Sequence, residues 1–112
     1  MALFMLMARF TPQALAAVVE GELNREEMAR KAVESAGGKL VGFYGLLGQD
    51  YHIAFICDFP KMSDFLAIEM SANVLGSNEK LKSIPLYGWS EYKDALETYK
   101  AVKEVYTPPS HS

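Results

Sequence analysis

His52 is the one histidine outside the last few residues of the chain. It lies in a run from Lys39 to Pro60 that also holds Tyr44, Asp50, Tyr51 and Cys57. Imidazole changes charge near neutral pH, so His52 is the natural proton carrier of the sequence. The chemistry it offers is general-base catalysis without a cofactor, with Tyr44 or Tyr51 as hydrogen-bond donor, on a small aromatic or carbonyl compound. Asp50 stands two residues earlier and either orients that imidazole or serves a turn, where Asp is favoured. Tyr87 and Trp89, with Tyr44 and Tyr51, are the aromatic residues available to line a ligand pocket; in strands such residues more often form core or interface. Cys57 is the only cysteine, which leaves neither an internal disulfide nor a cysteine-based zinc site. It is expected to be a small buried hydrophobe. There is no His/Glu metal spacing, no glycine-rich phosphate loop, no flavin or nicotinamide fingerprint and no nucleophile–base–acid set, so no metal or cofactor is expected.

The elements that must position these residues follow from pattern. Two apolar runs, Leu40–Leu47 and Tyr51–Cys57, flank Gly48-Gln49 and lack a helical period. A glycine at the first central position suits a two-residue type II′ hairpin. In that register Gly45 faces His52, Tyr44 faces Ile53 and Phe43 faces Ala54. One sheet face then carries Val41, Phe43, Gly45, His52, Ala54 and Ile56. The other carries Leu40, Gly42, Tyr44, Leu46, Tyr51, Ile53, Phe55 and Cys57. Ala2–Phe10 is apolar nearly throughout, as in a strand buried on both faces at the centre of a sheet. Thr11-Pro12 opens a short helix to Val19, and Asn24 opens a second, with Met28, Ala29, Ala32, Val33 and Ala36 as its apolar stripe. Gly37-Gly38 ends it. A third helix runs from about Met62 to Val74 with Phe65, Ile68 and Ala72 inward. Lys80–Trp89 is the last strand, and Pro85 within it makes it an edge. Ser90 caps a final helix whose apolar stripe is Tyr92, Ala95, Leu96, Tyr99 and Val102.

The order β-α-β-β-α-β plus a C-terminal helix is that of an α+β, ferredoxin-like fold: a four-stranded antiparallel sheet with the helices on one face. Residues 1–106 form one such domain and 107–112, with two prolines, a flexible tail. Both faces of the hairpin are apolar, yet helices cover only one. The other must meet a further layer, and a second copy of the sheet is the simplest candidate. A homodimer through the sheet face, or a higher oligomer, is therefore expected.

The chain resembles the GYD-domain family of dimeric α+β barrels over roughly Leu3 to Tyr92. The resemblance rests on Arg9-Phe10-Thr11, on Gly37-Gly38-Lys39, on Phe43-Tyr44 followed by Leu47-Gly48, on Ile53-Ala54-Phe55-Ile56 and on Pro60. The family takes its name from a Gly-x-Tyr-Asp turn. Here the turn reads Gly48-Gln49-Asp50-Tyr51, with the last two exchanged, which in a strand moves the carboxylate to the opposite sheet face. The resemblance implies a dimeric barrel and leaves activity open, since related barrels include isomerases, monooxygenases and ligand-sensing domains.

Composition narrows the functional classes. Of 112 residues, 50% are hydrophobic and 22% charged, with a net charge of −3, which describes a globular chain without a phosphate-binding surface. A nucleic-acid partner is not expected. The N-terminal MALFMLMARF lacks a cationic leader and a cleavage site, and no stretch reaches membrane-spanning length, so a cytoplasmic protein is expected. Two readings remain: a small-molecule-binding or regulatory dimer, and a cofactor-free enzyme of isomerase or monooxygenase type with His52 as base. The residues expected at a ligand are Tyr44, Asp50, Tyr51, His52, Tyr87 and Trp89.

Overall fold

A computed structural model describes residues 2–21, 23–47 and 50–109. The elements in order are β1 (Ala2–Phe10), α1 (Pro12–Val19), α2 (Arg25–Ser35), β2 (Lys39–Gly45), β3 (Ile53–Phe59), α3 (Met62–Val74), β4 (Asn78–Leu86) and α4 (Trp89–Val105). The strands form one antiparallel sheet in the order β2-β3-β1-β4. This is the ferredoxin-like arrangement expected from the sequence, with β1 central and β4, carrying Pro85, at an edge.

Alternation along β1 separates the two faces. Phe4, Leu6, Ala8 and Phe10 are buried, while Leu3, Met5, Met7 and Arg9 point the other way. Phe4 and Leu6 join Phe55, Cys57 and Phe59 of β3, Val33 of α2, and Phe65 and Ile68 of α3 in one core cluster. Phe4 stacks on Phe65 with ring centroids 4.3 Å apart, a contact that adds about 0.5–1.5 kcal/mol to the burial of the two rings. The helix starts follow their caps: Thr11 accepts from the Ala14 N–H and Asn24 from the Glu27 N–H. At the far end of α2 the Gly37 N–H donates to Glu34 O and the Gly38 N–H to Val33 O. With Gly37 at φ +86°, this is a Schellman closure.

Two expectations need correction. The hairpin register differs by one residue near its turn: Gly45 pairs with Ile53, Tyr44 with Ala54 and Phe43 with Phe55. The Leu46 N–H donates to His52 O, so Leu46 lies opposite His52 rather than Tyr51. The expected Gly48-Gln49 turn itself lies outside the described residues. Between Leu40 and Gly42 a register shift restores the expected Leu40–Cys57 pair. One extra residue, Val41, is absorbed as a bulge, which turns Phe43 to the helix side beside Phe55. The second correction is at the end of β4. The strand stops at Leu86 and α4 begins at Trp89, because the Glu91 carboxylate accepts from the Gly88 N–H at 2.9 Å and caps the helix at Gly88, two residues before Ser90. That bond holds the Glu91 carboxyl below the usual carboxylate range.

Among the described residues no helix covers the second sheet face. Across its strands run the rows Leu86–Leu3–Asp58, Ile84–Met5–Ile56 and Lys82–Met7–Ala54–Tyr44. Its middle is apolar. The α4 stripe is uncovered too: Tyr92, Leu96, Tyr99 and Val102 are all exposed, and the molecule is 57 Å long because this helix stands away from the sheet. Among the described residues no helix is long and apolar enough to cross a membrane.

Candidate functional site

The structure divides the expected site residues among three places. Asp50, Tyr51 and His52 come together at the Arg9 end of the sheet. The Lys80 ammonium lies 3.3 Å from the Asp50 carboxylate and 4.9 Å from the centre of the Tyr51 ring. Arg9 donates to Asp50 O at 2.8 Å and to the Glu79 carboxylate at 3.1 Å. These pairs are exposed and each contributes about 0–1 kcal/mol. Together they fasten the segment after the β2–β3 turn to β1 and β4. Asp50 thus spends its side chain on Lys80 and its carbonyl on Arg9.

His52 ends the β3 ladder. Its N–H donates to Ala8 O, and its Nδ1 accepts from the Phe10 N–H at 3.0 Å. An amide proton cannot be given up, so Nδ1 keeps its lone pair for that bond and the neutral ring carries its proton on Nε2. In this state the free ring nitrogen is a donor. The ring also packs at a tilt on Phe10, centroids 5.6 Å apart.

Tyr44 lies elsewhere, on the open sheet face over Gly42, whose missing Cβ leaves room for the phenol. Tyr87 and Trp89 follow β4 at the Leu3 end of the sheet and stack with Tyr92 of α4, at 6.4 and 5.2 Å. β1 pairs Leu3 with Leu86 and Arg9 with Lys80, so this aromatic group and His52 stand at opposite ends of the sheet. The six residues line no common pocket.

A concavity on the helix face lies between α2 and α3, with a volume of about 400 Å³. This falls within the size range of small-molecule sites, about 300–1,000 Å³. Its floor is Leu6, Ala8 and Phe10 of β1, with Ile53, Phe55 and Leu81 beside them. One wall is Met28, Ala29 and Ala32 of α2; the other is Ile68 and Ala72 of α3. Alanines facing each other from the two helices are too short to close the gap above the sheet. The rim holds Arg25, Ser35, Ser71, Ser77 and Asn78. Of these, Ser35 donates to Ala32 O, Ser71 to Ala67 O and the Asn78 amide to Ala72 O. Their donors are therefore turned away from the space. Sequence reasoning missed this site; the signal available was the run of small residues Ala29, Ala32 and Ala36, which reads equally well as close packing.

Cys57 is fully buried and donates weakly to Phe4 O at 3.7 Å. Burial first, and the neighbouring Asp58 second, push its thiol up to about 12. It is a core residue, as expected. The thiol of the unfolded chain ionises near pH 9 and the folded one does not, so the folded state binds more protons between pH 9 and 12. Stability through this group is complete below pH 9 and falls above it by about 1.4 kcal/mol per pH unit. Urea unfolding of Cys57→Ala beside the parent chain, from pH 8 to pH 11, is expected to show the gap between the two narrowing as pH rises. A constant gap would mean the thiol ionises freely in the folded protein.

Among the described residues no group of three or more His, Cys, Asp or Glu side chains is placed to hold a metal ion. Comparison with curated proteins finds no match. The family model for the GYD domain matches residues 4–96, from the first buried position of β1 through the first half of α4. Covering most of the chain, this match shows that the protein belongs to the GYD-domain family.

Proposed function

We propose that this protein is a small-molecule-binding module that works as a cytoplasmic homodimer, with the ligand held between α2 and α3. The observation that carries the reading is the cleft of about 400 Å³ with an apolar floor and alanine walls. A wall without an acid–base pair suits binding or regulation rather than turnover. The enzyme reading has less support, since the His52 imidazole uses its one free lone pair on the Phe10 amide and is not part of the cleft lining. The test is titration with Nile red, a neutral apolar dye, against the parent chain and Ala32→Leu. The larger side chain fills the gap from the α2 side, and at least tenfold weaker binding with unchanged circular dichroism is expected. Equal binding would remove the cleft as the site.

The second subunit is assigned to the open sheet face. Support comes from its apolar middle and from Asp58, which has a buried carboxylate oxygen with no hydrogen-bond partner among the described residues. Lys82, at the other end of the same face, is in none of the ion pairs among the described residues. A second copy turned end for end sets one against the other, a complementarity that an isologous pair supplies twice.

A further inference from the structure

We propose that the ligand of the α2–α3 cleft is an apolar monoanion, a carboxylate on a short aliphatic or aromatic body, with its charged end held by Arg25. The inference rests on the cleft being the binding site and adds the chemical class of what fills it.

Arg25 is the single charged residue of the cleft lining. In a chain of net charge −3, no Asp or Glu contributes to that lining. The guanidinium is held at the rim by the Phe10 ring, its carbon 5.7 Å from the centroid, and Phe10 is itself part of the floor. Among the described residues no carboxylate lies within ion-pair distance of it, whereas Arg9 has one and Arg30 two. Arg25 is also the first residue of α2, next to the Asn24 cap. A cation there opposes the helix dipole, whose positive end is at the N-terminus. The placement gives the helix nothing, but an anion entering the rim meets the guanidinium and the helix end together. The Ser35 and Ser71 hydroxyls and one Asn78 amide proton are committed elsewhere, and Arg25 is the one charged donor at the rim, so recognition of a charged end falls on this fork. The space below it accepts only apolar groups.

Calorimetric titration of the full chain with octanoate, octanol and octylamine at low salt tests this. Octanoate is expected to bind about tenfold more tightly than octanol, and octylamine most weakly. That preference should shrink as salt is raised, because the guanidinium is partly exposed. Arg25→Gln is expected to bring octanoate down to octanol while leaving octanol unchanged; Arg25→Lys, a point charge without the fork, should keep part of the difference. Arg25→Gln takes a cation from a helix N-terminus and Arg25→Lys keeps one, and neither change weakens the helix, so both variants are expected to fold. Equal binding of octanoate and octanol, or a preference that survives Arg25→Gln, overturns the anion assignment and leaves the cleft standing as an apolar site. Failure of all three compounds to bind overturns both. Octanoate binding that Ala32→Leu leaves untouched places the anion somewhere else and overturns the assignment.

Discussion

Gly38→Ala is expected to destabilise the fold by about 2–3 kcal/mol, the upper part of the range for overpacking a tight site. A Cβ at Gly38 falls inside the edge of the Phe59 ring and 2.8 Å from Asp58 O. Phe59 is fully buried against Phe65 and cannot turn aside, and Asp58 O belongs to the sheet backbone. The neighbouring glycine provides the control. Gly37 has open space around it but a φ of +86°, so Gly37→Ala meets conformational strain alone, about 1–2 kcal/mol before the gain from a stiffer unfolded chain. Urea unfolding should therefore rank Gly38→Ala below Gly37→Ala. A double-mutant cycle separates the causes further. In a Phe59→Leu background the ring edge is gone and only the carbonyl contact remains, so Gly38→Ala should cost about half as much. Equal costs in both backgrounds would show that the ring yields freely and that the α2–β2 junction is looser than its geometry.

That junction also shows how far the sequence could be read. Gly37-Gly38 marks a helix end in any reading, because a residue with positive φ is needed there. Which glycine serves conformation and which serves packing depends on Phe59, twenty-one residues further along. Local signals gave the order of the strands and helices, though not the boundary between β4 and α4: Thr11-Pro12 and Asn24 for the starts, the unbroken apolar run of β1 for the centre of the sheet, Pro85 for its edge. The hairpin register was not legible. It depends on a one-residue offset at Leu46 and His52 and a compensating bulge at Val41, and the two leave the apolar pattern of β2 almost unchanged. The cleft was hidden for a related reason. Ala29, Ala32 and Ala72 are read as close contact when two helices are assumed to touch, and here they frame a gap. His52 drew attention by its chemistry, but its lone pair is settled by the Phe10 backbone, which no pattern of side chains reveals.

Met5→Lys is expected to raise the dissociation constant of the proposed homodimer at least 100-fold while the chain keeps its fold. Met5 stands in the middle of the open face, between Ile56 of β3 and Ile84 of β4. The centre of an interface is where truncation or charge costs most, about 2 kcal/mol or more at a hot spot, and a lysine there also brings its like in the opposing copy close by two-fold symmetry. In the single chain the cost is smaller, since Met5 is only partly buried and a lysine stem can lie along Ile84 with its ammonium in water. Light scattering at micromolar concentration should give twice the 12.4 kDa chain mass for the parent and the mass of one chain for the variant. Ile84→Lys, on the edge strand and beside Pro85, is the companion if Met5→Lys unfolds, because an edge accepts lysine readily. The α4 stripe offers a competing surface: Tyr92, Leu96 and Tyr99 are uncovered and stand apart from the sheet. Removing residues 89–112 separates the two. If the truncated chain still pairs and Met5→Lys does not, the sheet face holds the subunits together. If both sheet variants keep the mass of two chains and the truncation loses it, the interface belongs to α4, and the carboxylate of Asp58 must find its donor in water instead.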